Sequence, residues 1–271
     1  STLLGIWLSL RAYLIVTSYG KQDVLMYKPL NGKPKELFLG HSVAFRNMLV
    51  SKEGVWRRDK TIVREGRNCM TSICVLSKWN IEHYRNVFKA CSPKTLVTGF
   101  PRNDVFDYDT SSEINCIISK YGLSKYNVLY VPTWRKYKPT KFFPFPECDL
   151  EKIAKFLRER DISIILRPHL TDMRRQKNKQ FWIRLKDYED VIKVITIYEY
   201  PDVQLLMCIA DCLITDYSSI QFDYLLLNRP IIYLPYDIRE QIKVGGFYYD
   251  YDEVTPGPKP KSQQEFMYYL D

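Results

Sequence analysis

Residues 213–220 read Leu213-Ile214-Thr215-Asp216-Tyr217-Ser218-Ser219-Ile220. A short apolar run passes through a polar turn into residues with helical spacing: strand, turn, helix. Downstream, a helix over 219–227 gives way to Asn228-Arg229-Pro230, which leads into another apolar strand over 230–233. Upstream the alternation repeats, with helix 111–121 closed by Gly122, strand 127–131, helix 149–160, strands 162–166 and 191–195, helix 202–209 and strand 211–214. Gly at such a position tolerates the left-handed turn that ends a helix. Short apolar strands alternating with helices indicate a parallel sheet covered on both faces.

The first part of the chain carries a thinner version of this pattern. Strands are expected over 12–17, 36–39, 72–76 and 95–98, with an amphipathic helix over 79–90 between the last two. Gly99-Phe100-Pro101-Arg102-Asn103-Asp104 reads as a turn cluster rather than a strand. The fold class is therefore α/β, with two Rossmann-like domains whose parallel sheets face each other across a cleft. Residues 1–110 form a shortened, incomplete first domain and residues 111–271 a fuller second one. The Pro/aromatic loop over 139–146 follows a strand end, where open α/β sheets bind ligands.

Composition agrees with a globular chain: 271 residues, 46% hydrophobic and 26% charged. The formal net charge is +9, unevenly placed. Residues 1–120 hold 18 basic and 10 acidic side chains, whereas residues 121–271 hold 22 and 21. That asymmetry points to an anionic partner for the first half, or to a solvated basic face. Seven Cys without a CxxC spacing, and three His, give no structural zinc pattern and fit a reducing cytoplasm. The run Leu3-Leu4-Gly5-Ile6-Trp7-Leu8 is too short to span a bilayer and has no basic stretch ahead of it. GxGxxG, GxxxxGK[ST] and GxSxG are absent, which argues against dehydrogenase, P-loop and α/β-hydrolase chemistry.

Three strand ends carry polar groups. Ser218 or Ser219 can cap the helix that follows, so backbone N–H groups and two hydroxyls converge as at a phosphate site; an ordinary N-cap has the same pattern. Asp223 lies one turn further on. Arg167-Pro168-His169 follows strand 162–166, and Pro168 turns the chain out of the ladder. Val131-Pro132-Thr133-Trp134-Arg135 repeats the device after strand 127–131. A guanidinium and a hydroxyl aimed into one crevice suit phosphate oxygens. In the first domain, His41 stands at a strand end and is a candidate general base.

Taken together, these motifs resemble the CDP-glycerol glycerophosphotransferase family, the GT-B-fold enzymes of teichoic-acid and capsule polymers. The matching residues are Gly99-Phe-Pro-Arg-Asn-Asp104, Val131-Pro-Thr-Trp-Arg135, Arg167-Pro-His169, Thr215-Asp-Tyr-Ser-Ser219 with Phe222-Asp223, and Gly246-Phe-Tyr-Tyr-Asp250 followed by Pro256-Gly-Pro258. The resemblance covers the chain from about Tyr13 to the last residue, with the motifs in the family's order and spacing. Where the family has Trp-His-Gly and then Lys, this sequence has Gly40-His41-Ser42 with Arg46 in the Lys position, which keeps the charge.

The resemblance implies transfer of glycerol phosphate or ribitol phosphate from CDP-glycerol or CDP-ribitol to a hydroxyl of a phosphate-containing, lipid-linked or polymeric acceptor, with release of CMP. His41 and His169 would be the catalytic histidines. Ser218 and Ser219 would bind the pyrophosphate, helped by Thr133, Arg135, Arg167 and Thr215. Asp216 and Asp223 would orient the loop or meet alditol hydroxyls. No cofactor and no metal are called for. Arg46, Arg57, Arg58, Lys60 and Arg64, with Trp56 among them, suit an anionic membrane surface or a polyphosphate acceptor. A cytoplasmic protein, peripheral on the inner face of the cell membrane, is then expected, and no nucleic-acid partner. Two other readings stay open: a GT-B glycosyltransferase using a nucleotide sugar, and an inactive module that docks on polymer or membrane.

Overall fold

The computed structural model describes residues 3–18, 35–40, 43, 70–87, 93–135, 138–244 and 246–271. The chain divides into two units, Ser1–Asp104 with Lys243–Tyr248, and Val105–Ile242 with Tyr249–Asp271.

In the first unit, helix α1 (Leu3–Arg11) precedes four parallel strands in sequence order, β1 (Leu14–Thr17), β2 (Lys35–Phe38), β3 (Met70–Val75) and β4 (Lys94–Val97). A 3-10 turn (Lys78–Asn80) and α2 (Ile81–Val87) fall on the helix expected over 79–90, of which 88–90 lie outside the described residues. Phe38, Ile73, Val75 and Tyr84 form a small core. The turn cluster after β4 becomes a 3-10 segment over Pro101–Asp107.

The second unit opens with α3 (Ser111–Tyr121), closed by Gly122 at φ 57°. Then come β5 (Tyr126–Tyr130), α4 (Leu150–Glu159), β6 (Ile162–Leu166), α5 (Leu170–Arg174), α6 (Lys179–Leu185), β7 (Ile192–Val194) and α7 (Val203–Ile209). The chain continues through β8 (Cys212–Thr215), α8 (Ile220–Tyr224), β9 (Ile231–Tyr233), α9 (Ile238–Val244), α10 (Tyr251–Val254) and α11 (Gln263–Leu270). All five strands are parallel, in the order β7-β6-β5-β8-β9.

Alternate residues of each strand feed opposite cores, as the period of two requires. Val128, Tyr130, Ile164, Leu166 and Ile214 pack on one side with α4, whose buried Leu150, Ile153, Ala154 and Leu157 form a helical stripe. Asp149 starts that helix by accepting the N–H groups of Glu151 and Lys152. Leu129, Ile165, Leu213 and Ile231 pack on the other side with Ile117, Leu206 and Met207. The Pro/aromatic loop corrects an expectation. Phe142, Phe143 and Phe145 turn into the first of these cores, around Tyr130 and Phe266, rather than toward a ligand.

The outer edge of β9 is covered by its own chain. Tyr233 N–H donates to the Pro258 carbonyl at 2.9 Å. Gly257 permits this approach, because a Cβ there would lie 2.0 Å from the Ile231 carbonyl oxygen.

Candidate functional site

From β5 the chain steps outward through β6 and β7, then crosses back to lay β8 on the other side of β5. The crevice beyond the ends of β5 and β8 is thus the topological switch point, where doubly wound sheets bind ligands. The loops leaving these strands hold Thr133-Trp134-Arg135 and Asp216-Tyr217-Ser218-Ser219.

The two loops are cross-tied. Thr215 Oγ1 donates to the Val131 carbonyl at 2.8 Å. Asp216 Oδ1 accepts the N–H of Thr133 at 2.9 Å and that of Tyr217 at 2.5 Å. Its Oδ2 lies 2.7 Å from Arg135 Nη1. Arg135 also gives Nε and Nη2 to the two oxygens of Asp237, at 2.9 and 2.7 Å, and Nη1 to the Thr133 carbonyl. The guanidinium is only 1% exposed and lies between the rings of Tyr217 and Tyr236, 4.9 and 5.0 Å from their centroids.

Burial alone would raise the Asp237 carboxyl, but the hydrogen bonds and charge of Arg135, joined by Lys138, hold it down to about 2. Burial likewise works against the charge on Arg135, yet the two carboxylates keep its pKa above the ordinary arginine value. The Tyr236 hydroxyl, which accepts the Lys141 N–H, is pushed up to about 12 by burial.

At the end of β6, the two parts of Arg167-Pro168-His169 point to different tasks. The Arg167 guanidinium turns inward and donates to the carbonyls of Ile195, Tyr200 and Pro201, at 3.2, 2.5 and 3.2 Å. His169 is exposed and caps α5, its Nδ1 accepting the Thr171 N–H at 3.2 Å. That bond leaves the imidazole proton on Nε2, as a donor. The Trp134 ring stacks on the imidazole. Thr133 Oγ1 and Trp134 Nε1 are buried, with no hydrogen-bond partner among the described residues.

Ser218 and Ser219 are half-buried at the start of α8. Ser218 Oγ accepts the Ile220 N–H at 3.4 Å, while the Ser219 side chain makes no capping bond. Asp223 is buried within α8. The structure therefore brings Thr133, Arg135, Thr215, Asp216, Ser218 and Ser219 together in the two loops, with His169 stacked on Trp134 between Thr133 and Arg135. His41, Arg46, Arg57, Arg58, Lys60 and Arg64 lie outside the described residues. Sequence reasoning missed Asp237, Tyr236 and Lys138, which belong to none of the matched motifs.

The sequence model of CDP-glycerol:poly(glycerophosphate) glycerophosphotransferases matches residues 3–271. The chain belongs to this family. It is 32% identical over 188 residues to a teichoic acid glycerol-phosphate transferase of Staphylococcus aureus (strain NCTC 8325 / PS 47), covering 66% of this chain and 45% of that protein. A teichoic acid poly(glycerol phosphate) polymerase of Bacillus spizizenii (strain ATCC 23059 / NRRL B-14472 / W23) is 32% identical over 199 residues, covering 70% and 47%. Among solved structures, a variant of the wall teichoic acid polymerase TagF superposes with TM-score 0.74 at 28% identity, over 96% of this chain and 63% of that one. The chain thus spans about half the length of these curated relatives. The likeness to TagF and the two parallel sheets make the fold GT-B-like.

In this glycerophosphotransferase-family chain, the segment after β2 differs from the expected pattern at Gly40, Ser42 and Arg46. Gly40, where the family pattern has Trp, takes φ +72°, and a Cβ there would lie 2.8 Å from the Phe100 ring. The phenyl edge of Phe100 thus closes against the backbone immediately before His41.

Proposed function

We propose that the chain transfers glycerol phosphate, or ribitol phosphate, from a CDP-alditol to a hydroxyl of a lipid-linked or polymeric acceptor in cell-wall polymer synthesis. The observation that carries this reading is the cross-tied pair of loops at the β5/β8 switch point, in a chain of this family. Residues 111–271 are the donor side and residues 1–110 the acceptor side.

The diphosphate of the donor sits against the hydroxyls of Thr133, Ser218 and Ser219. His169 donates Nε2–H to a phosphate oxygen and so offsets charge on the departing CMP. The acceptor hydroxyl attacks the distal phosphorus. A new O–P bond forms, the bond from that phosphorus to the CMP oxygen breaks, and the acceptor proton passes to His41 as general base. Arg135, Arg167 and Asp216 act by holding the loops in place, since their side chains are engaged within the protein. The direct test is CMP release from CDP-glycerol and CDP-ribitol. It should collapse in His41→Ala and His169→Ala, and full activity in both variants would sink the assignment.

The basic stretch from Arg46 to Arg64 then meets a phosphate-rich acceptor at the anionic inner face of the membrane. Among the described residues, no helix is long and apolar enough to cross a bilayer. Flotation with vesicles containing or lacking anionic lipid tests this contact; indifference to anionic lipid would confine the basic stretch to polymer binding or to solvent.

A further inference from the structure

Asp237 lies outside every motif that marks the site, yet it anchors the ion cluster beneath it. It follows β9 and opens the turn into α9, where its carbonyl accepts the N–H groups of Glu240 and Gln241, at 3.0 and 3.1 Å. Its carboxylate is 2% exposed and accepts four donors: Arg135 Nε and Nη2, Lys138 Nζ at 3.0 Å and Gln241 Nε2 at 3.1 Å. On the other side of the same guanidinium stands Asp216, whose Oδ1 holds the N–H groups of Thr133 and Tyr217. One buried cation thus joins the loops after β5, β8 and β9.

We propose that Asp237 is a positioning residue of the transfer reaction. Through Arg135 and Asp216 it sets the backbone of Thr133 and Tyr217–Ser218, and so the spacing of the hydroxyls that meet the donor diphosphate. The part that concerns the diphosphate rests on the donor reading above. Two features make the coupling specific. Arg135 has Nε, Nη1 and Nη2 all engaged, so loss of the Asp237 charge leaves a desolvated guanidinium facing Asp216 alone. Asp216 in turn holds both loops by a single oxygen, so any shift of its carboxylate moves Thr133 and Tyr217 together. Lys138 cannot replace the missing link, because it touches Asp237 and Glu240 from the half-exposed side.

The test is Asp237→Asn, which keeps the side-chain size and one acceptor but removes the charge, beside Asp237→Glu, which keeps the charge. Amide hydrogen exchange in the protein should accelerate about tenfold or more at Thr133 and Tyr217 in Asp237→Asn, while the amides of α4 keep their protection. KM for CDP-glycerol should rise about tenfold with kcat changed much less, as expected when a binding geometry loosens. Asp237→Glu should recover part of both. Unchanged exchange at Thr133 and Tyr217 would overturn the proposal. A loss of protection spread equally over α4 in both variants would also overturn it, making Asp237 a stability residue only. Turnover of CDP-glycerol by the unmodified protein is read separately. Its absence would remove the donor reading, while the exchange rates at Thr133 and Tyr217 would still decide the coupling.

Discussion

The indole of Trp134 lies on the imidazole of His169, ring centroids 5.4 Å apart and planes 27° from parallel. With the Thr171 N–H fixing Nδ1 from one edge, the stack leaves the ring little freedom to rotate. Both partners belong to motifs at neighbouring strand ends, so the sheet itself registers the pair.

Trp134→Ala removes the plate and should lower CMP release about 10- to 100-fold, the cost of a misplaced reacting group. Trp134→Phe keeps an aromatic face and should lose much less. Steady-state rates with CDP-glycerol for both variants, compared with His169→Ala, check this. Equal activity in Trp134→Ala and the unmodified protein would refute it.

Acid should weaken the second unit through Asp237. Its pKa falls from the ordinary 3.8 to about 2 in the folded protein. A depressed carboxylate stabilises the fold above its unfolded value, and that contribution is lost as pH drops through the folded one. The window therefore runs from about pH 4 down to about pH 2, and the contribution is about 2 kcal/mol. Urea midpoints measured across this range should fall, and Asp237→Asn should flatten that part of the curve.

Gly257→Ala forces a methyl to within 2.0 Å of the Ile231 carbonyl oxygen, and backbone on both sides must give way. A loss of roughly 2–4 kcal/mol is expected, in the range of overpacked or strained sites. Thermal unfolding of the variant reads it directly. An unshifted transition would show that the segment over 256–258 can lift from β9 at no cost.

Arg167→Met keeps much of the stem but leaves the carbonyls of Ile195, Tyr200 and Pro201 without their donor. The Ile195 acceptor is buried and the other two are partly so, and a buried acceptor left unmet costs about 1–3 kcal/mol, so destabilisation of about 1–3 kcal/mol is expected. Exchange protection should fall in the loop after β7 rather than at the switch point. Faster exchange confined to Thr133 and Tyr217 would contradict the inward placement of this guanidinium.

Much of the second unit was legible because its signals are local. Strand 162–166 is β6 residue for residue, and Gly122 closes α3 in the left-handed conformation that glycine accommodates. The stretch over 170–188 was not legible. Its short α-helical and 3-10 pieces are too brief, and too rich in Lys and Arg, to show a helical period. Arg135 and Arg167 were expected at strand ends and stand there. A sequence does not reveal which carboxylate or carbonyl, up to 102 residues away, will claim a guanidinium, so their inward turn could not be read. In the aromatic loop, Phe142, Phe143 and Phe145 are apolar enough to be core, whatever their position after a strand.

The cover over β9 also bears on how the protein is made. Every pairing in the second sheet is parallel, so each waits for a crossover to be completed. One outer row of amides in this sheet belongs to β9, and among the described residues its Tyr233 N–H is met by the Pro258 carbonyl. Until residue 258 has left the ribosome, the growing chain therefore carries a bare sheet edge of the kind that recruits other strands. Chaperone demand during translation should peak in that interval and end with the arrival of Pro256-Gly257-Pro258.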